Sequence, residues 1–320
     1  MPRNKISVLF GENISIHTLA KPFVKWAGGK GTLLQILESQ LPDDFDYQDV
    51  TYIEPFVGGG AMLFHMLTTH KNIKRVVIND INKDLIKCYS LIKENPKVLI
   101  DLLRPMEEQY YQLSETAREK YYYDTRDEFN LEMLSDNQRA AYLIFLNRTC
   151  FRGMYRENQN GSFNVPFGHY KRPKISNYDV IMADHEVLSK VEIMCGDYKN
   201  VIKRLGKGYN FIYFDPPYRP LLGSNNFKRY SKSGFGDPEQ EELKSFCDKM
   251  TSKSCKIMLS NSYSTNGDGS SYFEALYKDY SFDTILAPRY INAYAEKREK
   301  QKEILIKNYN NPKMKLPKTS

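Results

Sequence analysis

Asn210-Phe211-Ile212-Tyr213-Phe214-Asp215-Pro216-Pro217-Tyr218 is the stretch whose reading decides the fold. Residues 210–214 are an apolar run too short for a helix and rich in aromatics, the pattern of a strand buried on both faces of a parallel sheet. Two consecutive prolines then fix φ and remove two amide donors, so the strand stops at Asp215. A carboxylate, a carbonyl outside any ladder and an aromatic face are thereby held at the carboxyl edge of a sheet, where open α/β folds bind ligands. Asp215 and the Pro216 carbonyl could accept hydrogen bonds from the amine of a flat base, with Tyr218 stacked on its ring. The same four residues also fit a plain strand-ending turn.

Upstream, Val50-Thr51-Tyr52-Ile53 and Arg75-Val76-Val77-Ile78 read as further buried strands. Between them Glu54-Pro55-Phe56-Val57-Gly58-Gly59-Gly60 breaks the first strand before a helix predicted to run through His70. Its glycines allow close approach of the backbone to a ligand, but Leu63 fills the third glycine position of the dinucleotide fingerprint. Asp80 follows Gly60 by twenty residues, the place of an acid that binds ribose hydroxyls. Capping of a helix over Ile81–Lys93 is the other role open to it. Downstream, Val191–Cys195 reads as a strand followed by Gly196-Asp197, and Lys256–Leu259 as one ending in Ser260-Asn261. Thr284–Leu286 and Ile304–Ile306 read as paired late strands around the charged segment 289–302. Arg219 to Gly236, with Phe227, Lys228, Arg229 and Tyr230, reads as a mobile loop over the site.

Glu54, Asp80, Asp197 and Asp215 thus each follow a predicted strand, and a doubly wound sheet would bring all four to one crevice. An acidic, glycine-lined crevice favours a cofactor with ribose hydroxyls, an adenine amine and positive charge. S-adenosylmethionine fits that description better than NAD or ATP. Near the start, Lys21 to Lys30 places the single tryptophan, Trp26, beside Gly28-Gly29 and Lys30. Without the full Gly-x-x-x-x-Gly-Lys-Ser/Thr pattern this is not an ATP-type phosphate loop.

From Asn95 to Ala141 the pattern is helical, charged and rich in tyrosine, with the tyrosines expected to pack between helices. Asn147 to Lys174 then carries six Lys or Arg against one acid, Glu157, interleaved with aromatics and an Asn160-Gly161 hairpin signal. Such a segment suits a nucleic-acid duplex: Arg for guanine edges, Lys for phosphates, Phe or Met as a wedge. A solvated basic loop would look similar. The 320-residue chain has a net charge of +7 and a pI near 8.9, in keeping with a polyanionic partner. Its five cysteines, Cys88, Cys150, Cys195, Cys247 and Cys255, lack zinc-ligand spacing and are expected to be reduced, with no metal site. No apolar run approaches ~18 residues and Met1–Lys21 lacks a signal-peptide core. The expected location is the cytoplasm of a bacterium or an intracellular compartment used by a virus.

Phe23 to Lys30, Glu54 to Gly60, Asn147 to Tyr170 and Asp215 to Tyr218 together resemble, in that order, the Dam-type DNA adenine-N6 methyltransferases, over about residues 21–309. The resemblance implies a Rossmann-like α/β methyltransferase sheet using S-adenosylmethionine, interrupted by a mainly helical target-recognition domain with a β-hairpin. The expected layout is an extension at 1–20, a discontinuous catalytic domain at 21–94 and 190–309, a recognition domain at 95–189 and a flexible tail at 310–320. By the same resemblance Trp26, Lys30, Glu54, Phe56, Gly58, Gly60, Asp80 and Asp215 match the cofactor set, and Asp197 is expected to contact the cofactor adenine. Asp215, Pro216, Pro217 and Tyr218 match the catalytic motif. Arg148, Phe151, Arg152, Met154, Arg156, Pro166, Tyr170 and Lys171 match DNA contacts, with Arg156 as a guanine reader. Arg152 departs from the asparagine of several relatives, which leaves the target open between GATC, the leading site, and another short palindrome such as CATG.

The implied reaction is methyl transfer to the N6 amine of a flipped adenine in double-stranded DNA. The alternatives are an RNA or cytosine-N4 methyltransferase and a DNA-binding module without catalysis, although Asp215 and Tyr218 are intact. A cognate restriction endonuclease is a possible functional partner, and a monomer or weak dimer would serve a short palindrome.

Overall fold

The structure, a computed structural model, describes residues 20–26, 28–131, 133–219, 235–267, 269–287 and 301–310. The expected N-terminal extension, nearly all of the loop expected over the site, the segment 289–300 and the tail beyond 310 lie outside these residues.

The predicted strands are present, each a little longer than its apolar kernel. They are β1 (Val50–Glu54), β2 (Ile73–Asp80), β3 (Val191–Cys195), β4 (Tyr209–Phe214), β5 (Lys256–Ser262), β6 (Ser281–Ala287) and β7 (Gln301–Lys307). They form one sheet in the order β3-β2-β1-β4-β5-β7-β6. β1 is parallel to both β2 and β4, and β4 to β5, whereas β7 runs antiparallel to β5 and β6. This is the Rossmann-like sheet that the sequence implied. All of β1 and residues 210–214 of β4 are buried, which is why those segments read as unbroken apolar runs rather than as alternation. The strand order reverses between β1 and β4, the switch point at which open α/β sheets place their ligands.

The chain divides into two compact units. One comprises 30–57, 70–81 and 192–320 and holds nearly all of the sheet. Its core joins Ile53, Val77, Ile212, Phe214, Ile257 and Leu259 of the strands to Leu243, Phe246 and Met250 of helix α8 (Asp237–Thr251) and to Phe273 of α9 (Tyr272–Leu276). Helix α1 (Leu34–Ser39) belongs to the same unit.

The other unit comprises the residues up to 29 with 58–69 and 82–191. It takes in α2 (Ala61–Thr69), α3 (Lys83–Glu94), α4 (Pro96–Gln112), α5 (Glu115–Asn130), α6 (Asp136–Thr149) and α7 (Tyr178–Leu188). The long helical stretch read from 95 to 141 is cut by caps: Ser114 accepts from Ala117 N, and Ser135 forms a capping box with Gln138. The cap of α3 is Asn82, which accepts from Leu85 N, so the capping role considered for Asp80 is filled two residues further on. Within this unit Arg139 grips both oxygens of Asp84 at 2.8 and 2.7 Å, tying α6 to α3. None of the five cysteines is in a disulfide, and Cys195 is the exposed one.

Candidate active site

In the sheet unit, Glu54 and Asp80 end β1 and β2, Asp215 follows β4 directly, and Asp197 lies two residues past β3. Asn79 staples three of these strand ends. Its buried amide donates to the Pro55 carbonyl at 3.1 Å and the Gly196 carbonyl at 2.9 Å, while Gly196 N donates to the Asp80 carbonyl.

The Asp215 carboxylate, about one-fifth exposed, accepts from Lys30 Nζ at 2.8 Å. Lys30 is only 3% exposed and also lies 4.6 Å from the centre of the Tyr218 ring, a cation–π distance. The Tyr218 hydroxyl donates to Glu303 Oε2 on β7 at 2.8 Å. Burial raises the Asp215 carboxyl above its ordinary value; Lys30 opposes the rise and Glu303 adds to it. Glu54 is buried and accepts from Tyr52 Oη at 2.8 Å. Desolvation pushes it well above the usual carboxylate range, the Tyr52 bond and Lys30 pull it down, and Asp215 and Asp80 push it further up. Glu54, Asp80 and Asp215 are therefore electrostatically coupled acids at adjacent strand ends, with Lys30 paired to Asp215.

Asp197 is exposed and N-caps the short helix Tyr198–Arg204 through Lys199 N, with Lys199 Nζ 3.3 Å from its other oxygen. Phe56 is half-buried among Tyr198, Phe214 and Phe235. Ile81, one residue past Asp80, is 77% exposed, an apolar face beside an acid.

The helical unit holds Trp26, Gly58 and Gly60. A Cβ added at Gly58 would lie 3.0 Å from Trp26 Cδ1, one at Gly59 2.9 Å from Trp26 Cβ, and one at Gly60 2.4 Å from Tyr89 Oη. Gly58 and Gly60 have φ of 49° and 77°, and Tyr89 Oη donates to the Gly58 carbonyl at 3.0 Å. These glycines are fixed by close packing as well as by backbone angle.

The same unit carries the basic segment. Its main chain is braced by the tyrosines of α4 and α5: Tyr110 donates to the Tyr170 carbonyl, Tyr111 to that of Pro173 and Tyr122 to that of Val165. The hairpin signal is realised around Glu157 and Phe163, with Gly161 at φ 78° in its turn. Phe151, Arg152, Arg156, Pro166 and Lys171 are exposed, and Met154 and Tyr170 are half-buried. Arg156 reaches across the hairpin to Asn164 with Nε and Nη2. Arg152 sits at φ 58°, a conformation asparagine accepts more readily than most side chains, and its guanidinium lies over the Phe151 ring. Arg148 does not join this surface: it turns inward and donates to the Phe23 carbonyl.

Several participants had no clear sequence signal. Asn147 is fully buried, accepts from Lys25 N and donates to the carbonyls of Lys25 and Gly153. Tyr155 stacks on Trp26 at 4.9 Å and 21°. Gln240 and Glu303 lie outside every element read from the sequence, and Asn261 lies at the end of one. Only Asn261 was visible beforehand, as a polar strand end.

Residues 26–309 match the family described as D12 class N6 adenine-specific DNA methyltransferase. The chain is 40% identical over 293 residues to a protein of Methanocaldococcus jannaschii named Type II methyltransferase M.MjaIII, covering 90% of this chain and 99% of that one. It is 36% identical over 296 residues to Type II methyltransferase M1.LlaDCHI of Lactococcus lactis subsp. cremoris, covering 91% and 96%. It is 30% identical over 288 residues to a DNA adenine methylase of Vibrio cholerae, covering 89% and 95%. The resemblance read from four short motifs thus extends over most of the chain, and the RNA and cytosine-N4 alternatives give way to adenine N6 in DNA. The protein with this acid-edged sheet and rigid Asp-Pro-Pro-Tyr turn belongs to the D12 class of N6 adenine-specific DNA methyltransferases.

Proposed function

We propose that the enzyme methylates the N6 amine of an adenine turned out of a short duplex site, with GATC as the leading target and S-adenosylmethionine as methyl donor. The observation that carries this reading is the Asp215 to Tyr218 turn, fixed at the end of β4 with Lys30 on its carboxylate. Asp215 and the Pro216 carbonyl accept from the two amine hydrogens and hold the nitrogen lone pair clear of the ring system. Tyr218 supplies the stacking face and Pro217 stiffens the turn. Lys30 holds Asp215 in place. Rate enhancement then comes chiefly from positioning; none of the five cysteines is needed as a nucleophile.

The donor set suits the cofactor: the coupled acids Glu54, Asp80 and Asp215 at the strand ends, with the exposed apolar Ile81 next to Asp80. Asp80 would take ribose hydroxyls, Ile81 a base face and Asp197 the adenine amine, with Glu54 and Phe56 completing the edge of the sheet. When bound, S-adenosylmethionine supplies a methyl group on a positively charged sulfur. Trp26, Gly58 and Gly60 are further proposed cofactor contacts. For DNA we propose Arg156 as a guanine reader, Phe151 and Met154 as wedge or stacking contacts, and Arg152, Pro166, Tyr170 and Lys171 as further contacts, within a recognition domain spanning 95–189. Arg148 supports the segment from behind. The names of the Type II relatives support a modification role beside a cognate endonuclease, served by a monomer or weak dimer.

The test is transfer of labelled methyl from S-adenosylmethionine to unmethylated duplexes covering every four-base site, with modified bases mapped afterward. N6-methyladenine within one motif is expected. Asp215→Ala should abolish transfer while leaving much DNA binding; turnover by that variant would remove Asp215 from the chemistry.

A further inference from the structure

We infer that Gln240 and Asn261 are positioning residues that hold the Asp-Pro-Pro-Tyr turn in its working geometry through a buried, one-directional chain of amides. The inference rests on the reading of that turn as catalytic. With two proline nitrogens, residues 215–218 cannot hold themselves by a normal ladder, so the chain just beyond them must be gripped from outside. Gln240 Nε2 donates to the Pro217 carbonyl at 3.1 Å. Asn261 Oδ1 accepts from Arg219 N at 3.2 Å, and Ser262 Oγ donates to the Arg219 carbonyl at 2.9 Å. The two amides meet each other, Asn261 Nδ2 donating to Gln240 Oε1 at 3.3 Å.

Both side chains are fully buried. Gln240 stands on the face of α8 that otherwise buries Leu243, Phe246, Cys247 and Met250, where helical spacing calls for an apolar residue. Asn261 continues a strand whose inner positions are Ile257, Met258 and Leu259. A buried amide stabilises little beyond an apolar side chain and costs more when one partner is lost, so packing alone does not account for either. Their polarity is fixed. Asn261 Oδ1 accepts from both Arg219 N and Ser262 N, which turns its NH2 to Gln240 and leaves the Gln240 NH2 for Pro217. Arg219 is locked in turn by Asp237, at 2.7 and 3.0 Å, and by the Tyr272 ring at 3.9 Å. The turn is thus held on its far side while Lys30 and Glu303 hold Asp215 and Tyr218.

The experiment compares Gln240→Met, Gln240→Glu and Asp215→Ala with the wild type, in the full chain, on a duplex the enzyme methylates. Single-turnover transfer is measured from pH 5.5 to 8.5, alongside binding of S-adenosylmethionine and of DNA. Gln240→Met keeps the volume and loses the donor; its transfer rate is expected to fall roughly 10- to 100-fold, with both affinities within about 3-fold of wild type. Gln240→Glu sets a carboxylate against the Pro217 carbonyl, and only its protonated form can donate. Its rate per binding-competent molecule, with sites counted by S-adenosylmethionine binding at each pH, is therefore expected to rise relative to wild type as pH falls, which loss of folded protein alone would not produce. Gln240→Met at the wild-type rate, or a Gln240→Glu profile parallel to wild type, overturns the inference. If Asp215→Ala is inactive in either of those cases, the catalytic reading of the turn survives; if Asp215→Ala turns over, that reading falls instead.

Discussion

Asp184, on α7, is fully buried. Its Oδ1 accepts from Lys21 N at 2.9 Å, and its Oδ2 finds no hydrogen-bond partner among the described residues. Desolvation pushes its carboxyl up to about 8, with Lys21 and Arg148 opposing the rise. A carboxyl raised in this way favours the folded state only while it is protonated. Its contribution is complete below the unfolded value near 4 and is lost as pH rises through 8. Each pH unit within that window lowers stability by about 1.4 kcal/mol, so at pH 7 the group opposes folding by about 4 kcal/mol relative to a side chain that stays neutral. Asp184→Asn keeps the acceptor for Lys21 N and removes the titration. The variant is expected to be more stable than wild type at pH 7.5 and to lose most of that advantage at pH 5. The assay is urea unfolding of both proteins at half-unit intervals of pH, reading the difference in stability. A difference that does not change with pH would refute the reasoning, because it would show that Asp184 does not titrate on folding.

Arg156→Ala is expected to relax discrimination at one guanine by roughly 1–3 kcal/mol; competition between duplexes altered at each position checks this, and an unchanged preference removes Arg156 from base readout. Gly60→Ala combines a φ of 77° with a Cβ 2.4 Å from Tyr89 Oη, so a loss of about 2–3 kcal/mol is expected from backbone strain plus the disturbed Tyr89 bond. Denaturant unfolding measures that loss. Tyr122→Phe removes the donor from the buried Val165 carbonyl and should cost about 1–2 kcal/mol, seen as a lower thermal midpoint with S-adenosylmethionine affinity unchanged.

Much of this protein was legible one residue at a time. The apolar runs at 50–53, 75–78 and 210–214 could be read because central parallel strands are buried on both faces and need no partner to reveal them. Asp215 could be placed because two prolines end a strand wherever they stand. Local chemistry also marked the turn at Asn160-Gly161 and the acids after each strand. Tertiary structure decided which residues answer to these. Asn79 became the staple of three strand ends only because β1, β2 and the turn after β3 meet there. Glu303 lies 85 residues from Tyr218 and reaches it through the antiparallel pairing of β7 with β5. Gln240 interrupts an apolar helix face for a carbonyl on a different segment, and Arg148, one of a run of arginines that read as a DNA-facing set, turned inward to the Phe23 carbonyl. Sequence carries the periodicity and backbone chemistry of each element, whereas the partner of a buried polar group is set by segments far away in the chain, which only the folded sheet and helices bring within hydrogen-bond reach.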